Sequence, residues 1–133
     1  MIDIENEIIS YITDALKKEF PNITVYSDSS LVPSSFPCVV IEEIDNYDYE
    51  KTQDSGSLEN HAVLMYETNT YSNKASGRKS ECKKIFAFID DLFKKMGFTR
   101  TTRSLISIND STAHRLIGRY KGIADKNKNI YGG

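Results

Sequence analysis

Two strand-like segments on either side of a polar loop constrain this chain more than any other feature. The first, Cys38-Val39-Val40-Ile41-Glu42-Glu43-Ile44, is rich in β-branched residues and follows Phe36-Pro37, where the proline biases the residue before it toward an extended backbone. The second, His61 to Tyr71, alternates: Ala62, Leu64, Tyr66 and Thr68 fall on one face, and Val63, Met65, Glu67 and Asn69 on the other. Between them, residues 46–60 include Lys51-Thr52-Gln53-Asp54-Ser55-Gly56-Ser57, too polar to bury and too rich in Gly and Ser for regular structure. The pattern predicts a long antiparallel hairpin with a flexible tip. A turn of about two residues would reverse the chain, so a tip of this length implies a role in contact.

The remaining elements read from periodicity and breakers. Asp3 is a candidate N-cap for a first helix whose apolar stripe is Ile4, Ile8, Tyr11, Ile12, Ala15, Leu16 and Phe20; Glu5 and Glu7 suit its positive end, and Pro21 stops it. A short strand, Ile23 to Tyr26, and a Ser/Pro-rich connection, Ser27 to Ser35, lead into the hairpin. Arg78 to Met96 predicts a second helix, with Cys82, Ile85, Phe86, Ile89, Leu92, Phe93 and Met96 inward and Lys83, Lys84, Asp90, Asp91, Lys94 and Lys95 outward. Gly97 sits where a left-handed C′ residue belongs. Two strands follow, Phe98 to Ile108 and Ala113 to Ala124, separated by a turn at Asn109-Asp110-Ser111. In the second of these, His114, Leu116, Gly118, Tyr120 and Gly122 alternate with Arg115, Ile117, Arg119, Lys121 and Ile123. Residues 125–133 read as a polar tail with a frayed glycine end.

A chain of 133 residues is expected to form one domain, 1–133, with a core that needs neither disulfide nor metal. Cys38 and Cys82 lie among apolar residues and are expected to be buried free thiols, as in a reducing cytoplasm. Without an apolar leader or spanning run, the chain is expected to be soluble and to stay inside the cell that makes it. The net charge of −2 conceals an asymmetry: residues 1–72 hold 3 Lys/Arg against 14 Asp/Glu, and residues 73–133 hold 14 against 5. Such halves either neutralise each other within one fold or present opposite charges to neighbouring copies in head-to-tail association.

No catalytic constellation emerges. His61 and His114 sit on separate strands without H-E-x-x-H or C-x-x-C, so no metal is expected, and Gly56, Gly77 and Gly97 are isolated, so no cofactor phosphate loop is expected. The Ser27 to Ser35 serines lack a G-x-S-x-G elbow. Glu42, Glu43, Asp45, Asp48 and Glu50 form an acidic run that reads as an interface or solvated edge, since alternation sends strand neighbours to opposite faces. The basic set Arg100, Arg103, Arg115, Arg119 and Lys121, with Tyr120, leaves open an alternative in which the C-terminal half is a nucleic-acid-binding or interaction module.

Helix, strand, long hairpin, helix and two strands predict an α+β domain: a mainly antiparallel sheet with both helices on one face. The other face is left for a partner, with Tyr47, Tyr49, Tyr66, Tyr71 and Tyr120 as its aromatic candidates. Together with Glu42, Glu43, Asp45, Lys51, Asp54, Arg115, Arg119 and Lys121 they form the expected interface.

The same order of elements, with Phe36-Pro37-Cys38-Val39-Val40-Ile41 after a Ser/Pro connection, resembles the tail terminator proteins of long-tailed bacteriophages. The ending Ala113-His114-Arg115-Leu116-Ile117-Gly118-Arg119-Tyr120-Lys121-Gly122-Ile123-Ala124-Asp125 with Ile130-Tyr131 is similar to small minor capsid or tail-completion proteins of phages and prophages of Gram-positive bacteria. The resemblance implies a non-enzymatic virion subunit that forms a ring, commonly hexameric, at the head-proximal end of the tail. Its partners would be itself, the tail tube protein and head-tail connector proteins, with DNA passing through a lumen that an acidic hairpin would line. No membrane and no cofactor enter that picture.

Overall fold

A computed structural model of the protein describes residues 2–27, 35–48, 61–107 and 113–132, and the side chains of all of these except 103–107 and 131–132. Tyr49, Lys51 and Asp54 of the expected interface lie outside the described residues, as do the hairpin tip, residues 28–34, the turn at Asn109-Asp110-Ser111 and Gly133.

The elements run α1 (Glu5–Glu19), β1 (Thr24–Tyr26), β2 (Cys38–Asp48), β3 (His61–Ser72), α2 (Arg78–Met96), β4 (Thr99–Ser107), β5 (His114–Asp125) and β6 (Ile130–Gly132). Helix α2 has the predicted bounds. Gly97 ends it at φ 102°, with its own N–H on the Lys94 carbonyl at 3.1 Å and the Phe98 N–H on Phe93 at 2.9 Å, the paired bonds of a Schellman ending. Asp3 does not cap α1 as expected. The N-cap position is Ile4, and Asp3 instead accepts a bond from the Glu5 N–H at 3.3 Å.

The fold is α+β, with the strands of one sheet in the order β1-β2-β3-β5-β4 and β6 beside β5. All pairs are antiparallel except β1 with β2, which run parallel over Thr24–Tyr26 and Cys38–Val40. Two features depart from the sequence reading. Up to Gly132 the tail does not fray: Ile130–Gly132 folds back on Gly122–Ala124 as a strand, and the Ile130 side chain packs on the core. The first hairpin strand extends through Asn46 to Asp48, with an irregularity at Ile44 between Glu43 and Asp45 that resets the alternation.

Both helices cover one face. Val39 and Ile41 of β2, Ala62, Leu64 and Tyr66 of β3, and Tyr120 and Ala124 of β5 meet Ile8, Ile12 and Leu16 of α1 and Ile85, Ile89, Leu92 and Phe93 of α2. Its centre is aromatic: Phe93 stacks on Tyr120 with centroids 4.2 Å apart, and Phe98 sits edge-on to Phe93 at 5.3 Å and to Tyr66 at 5.6 Å. Gly118 lets the α2 helix approach, because a Cβ there would lie 2.6 Å from the Phe86 ring.

Tyr66 and Tyr120 are therefore not on the open face. Both are fully buried beneath α2, placed there by the alternation that also buries Leu64 and Leu116. Two helix positions are corrected as well. Tyr11 is 46% exposed, and Asp90, expected outside, is buried. Cys38 and Cys82 are free and buried, and burial pushes their thiols up to about 12 and about 11.

Candidate functional site

The sheet face away from the helices carries a polar ladder across β2, β3 and β5. Pairing places Glu42, Glu67 and Arg119 in one row, Val40, Asn69 and Ile117 in the next, and Cys38, Tyr71 and Arg115 in a third. The side chains link along the strands. Asn69 donates to Glu67 at 3.1 Å and accepts from Arg115 Nε at 2.9 Å, which fixes the orientation of its amide. Glu67 also takes Arg119 Nε at 3.3 Å. The Arg115 guanidinium lies 5.6 Å from the centroid of Tyr71, and Phe36 meets the same ring edge-on. Burial raises the Tyr71 hydroxyl above its ordinary range, against the opposing pull of Arg115.

Of the expected interface residues, the structure brings Glu42, Tyr71, Arg115 and Arg119 into this ladder. Lys121 stands one row beyond Arg119, paired with Met65 and level with Asp45. Tyr47 is on the same face and 45% exposed. Glu67 and Asn69 hold the ladder together and were not singled out as site residues, although their period-two placement with Val63 and Met65 carried the signal.

Charge is sorted by position in the sheet. Beyond the three residues paired with β1, the run Ile41–Asp48 carries Glu42, Glu43, Asp45 and Asp48 and no Lys or Arg. At the opposite edge, β4 carries Arg100 and Arg103 and no Asp or Glu. Glu43 points to the helix side and accepts the Tyr66 hydroxyl at 2.9 Å; burial raises its carboxyl despite that bond, and Glu5 and Asp3 push it the same way. Asn46 donates to the Ile2 carbonyl at 2.8 Å and ties the N-terminal segment to this edge. Ile44 and Tyr47, two of the three large apolar side chains exposed among the described residues, lie on the same run.

No protein-family model and no curated protein matches this chain.

A second polar cluster joins α2 to β4 and β5. Asp90 receives the Tyr120 hydroxyl at 3.0 Å, Lys94 at 2.8 Å and Arg100 at 3.1 Å. Burial alone would raise its carboxyl, but these donors outweigh burial and hold it below the ordinary carboxylate range. Burial and the Asp90 charge push the Tyr120 hydroxyl far up, so it serves as a fixed donor. A hollow of about 300 Å³ beside this cluster is lined by Lys83, Phe86, Ala87, Asp90, Asp91 and Arg100. With three donors already on Asp90, the cluster acts as a clamp between helix and sheet. A smaller apolar hollow of about 240 Å³ lies under the exposed Glu7–Lys128 pair, among Ile4, Ile8, Met96 and Ile130.

Among the described residues, no three or more His, Cys, Asp or Glu side chains gather as a metal site would require. No helix among them is long and apolar enough to cross a membrane.

Proposed function

We propose that this protein is a structural subunit that closes into a ring at the head-proximal end of a bacteriophage tail, ends growth of the tail tube and joins it to the head. The observation that carries the reading is the separation of charge across the sheet, with an acidic run on β2 and a basic strand at β4. A ring requires heterologous contacts, in which one surface of a copy meets a different surface of the next, and opposite charges on opposite sides favour that arrangement. The element order, helix, strand, long hairpin, helix and two strands, is the order on which the resemblance to tail terminators rests.

The alternative, a nucleic-acid-binding module, is less well supported. Arg119 is paired with Glu67 and Arg100 with Asp90, so these two cations are compensated within the fold, and Arg115 is held in place by Asn69. Adding purified protein to elongating tail tubes separates the two. The ring reading expects tubes of arrested length with extra density at one end; unchanged tube growth, with salt-sensitive retention on a DNA column, would favour the module.

A further inference from the structure

We infer that Arg115 is a preorganised receptor for a carboxylate, and that the sheet face around it takes an acidic segment of a partner protein. The site is independent of the ring reading.

The starting point is a missing counter-ion. Arg100 has the Asp90 carboxylate at 3.1 Å, and Arg119 has that of Glu67 at 3.3 Å. Arg115 has no carboxylate partner among the described residues. It meets the Asn69 side-chain carbonyl, which accepts from Nε at 2.9 Å, and the Tyr71 ring, whose centroid lies 5.6 Å from the guanidinium carbon. Both are uncharged, and burial keeps Tyr71 so by raising its hydroxyl above the ordinary range. Glu67 reaches Arg119 directly and Arg115 only through the Asn69 amide. Arg115 is itself half-buried, and a charge drawn out of water without an ionic partner departs from the rule that such charges are paired.

The guanidinium is also held in place. Asn69 is 4% exposed and its amide nitrogen is bound to Glu67 at 3.1 Å, which fixes its carbonyl toward Arg115. Phe36 meets the Tyr71 ring edge-on, with centroids 6.5 Å apart, and steadies the aromatic floor beneath the cation. With Nε committed to Asn69, the two terminal nitrogens remain for a ligand, and their fork matches the two oxygens of a carboxylate. A ligand there meets donors that are already oriented, in surroundings where partial burial strengthens an ion pair.

A phosphate backbone is the other oxyanion that fits a guanidinium. Nucleic acid gains affinity from many phosphates at once, and this end of the face offers it one free cation: Arg119 is paired with Glu67, and Lys121 stands roughly 20 Å further along β5 at about 3.3 Å per residue. A polypeptide that presents a single carboxylate matches what the face provides. Arginine beside tyrosine and phenylalanine is also the composition that dominates binding between proteins, which Arg115, Tyr71 and Phe36 supply together.

The test follows the arginine side-chain NMR signals of the full-length chain during titration with an end-blocked oligoglutamate peptide, at about 0.1 M salt, where the Debye length is about 10 Å. Arg100 and Arg119, already paired, are internal controls. The Arg115 Nε–H signal should move and saturate at peptide concentrations that leave the two controls in place. Arg115→Gln should weaken binding at least about tenfold, and Arg115→Lys, which keeps the charge and loses the fork, should fall between the two. Shifts at Arg115 no larger than at the controls, or a lysine variant that binds as tightly as the wild type, overturn the receptor. An oligothymidylate of matched charge that binds at Arg115 more tightly than the peptide overturns the protein partner. Melts establish that both variants are folded; where one is not, the wild-type titration with its two controls decides. None of these readouts is an oligomer mass, so their failure leaves the ring reading as it stood.

Discussion

At the scale of single residues, Gly118 and Asp90 carry roles that composition does not advertise. The Phe86 ring occupies the space that a Cβ at Gly118 would need. Gly118→Ala should cost about 1–3 kcal/mol by overpacking, with a lower thermal midpoint as the readout. Asp90 was expected in solvent because the helical spacing puts it beside Asp91, yet β4 and β5 bring Arg100 and Tyr120 to it. Its folded pKa is depressed, so its contribution is present above the ordinary value near 3.8 and is lost as pH falls through the folded value. Asp90→Asn should therefore lower stability at pH 7 by about 1–2 kcal/mol, a gap that narrows in strong acid when melts are compared across pH. Glu43 has the opposite sign. Its pKa is raised by burial and by Glu5 and Asp3, so its protonated form is favoured in the fold, and that contribution is lost as pH rises through the folded value. Glu43→Gln should match or exceed wild-type stability at neutral pH and lose that advantage below about pH 4.5, the ordinary value.

At the scale of elements, legibility followed the strength of the local pattern. The stripe of α2 and its closing glycine fixed both ends, and the alternations of β3 and β5 assigned their faces. Tyr66 and Tyr120 were misplaced because their hydroxyls suggested a partner, whereas their period-two neighbours placed them in the core; each hydroxyl then found a carboxylate, on Glu43 and Asp90. The parallel pairing of β1, the reset at Ile44 and the return of β6 depend on contacts between segments distant in sequence, which local periodicity does not encode. The helix assignment is open to a direct check. Ile89→Ala should cost on the order of 2–5 kcal/mol, whereas Lys84→Ala on the exposed side should change stability by less than about 0.5 kcal/mol, and equal small effects in denaturant melts would contradict the packing described.

At the scale of the whole molecule, the sequence showed that charge was divided between its halves but not where the division would fall in space. Topology converts it into position: β2 and β4 end up at the two sides of one sheet because β3 and β5 fill the middle. Part of the basic half is then compensated internally, Arg119 by Glu67 of β3 and Arg100 by Asp90 of α2. A head-to-tail assembly would use the acidic run of β2. The most direct measurement is the mass of the wild-type protein in solution by light scattering, over a range of concentrations at about 0.1 M and 1 M salt, with and without tail tubes. One closed oligomer of fixed size should form with concentration or on tubes and weaken at high salt. A monomer under every condition, or open-ended polymers without a limiting size, would overturn the proposed ring.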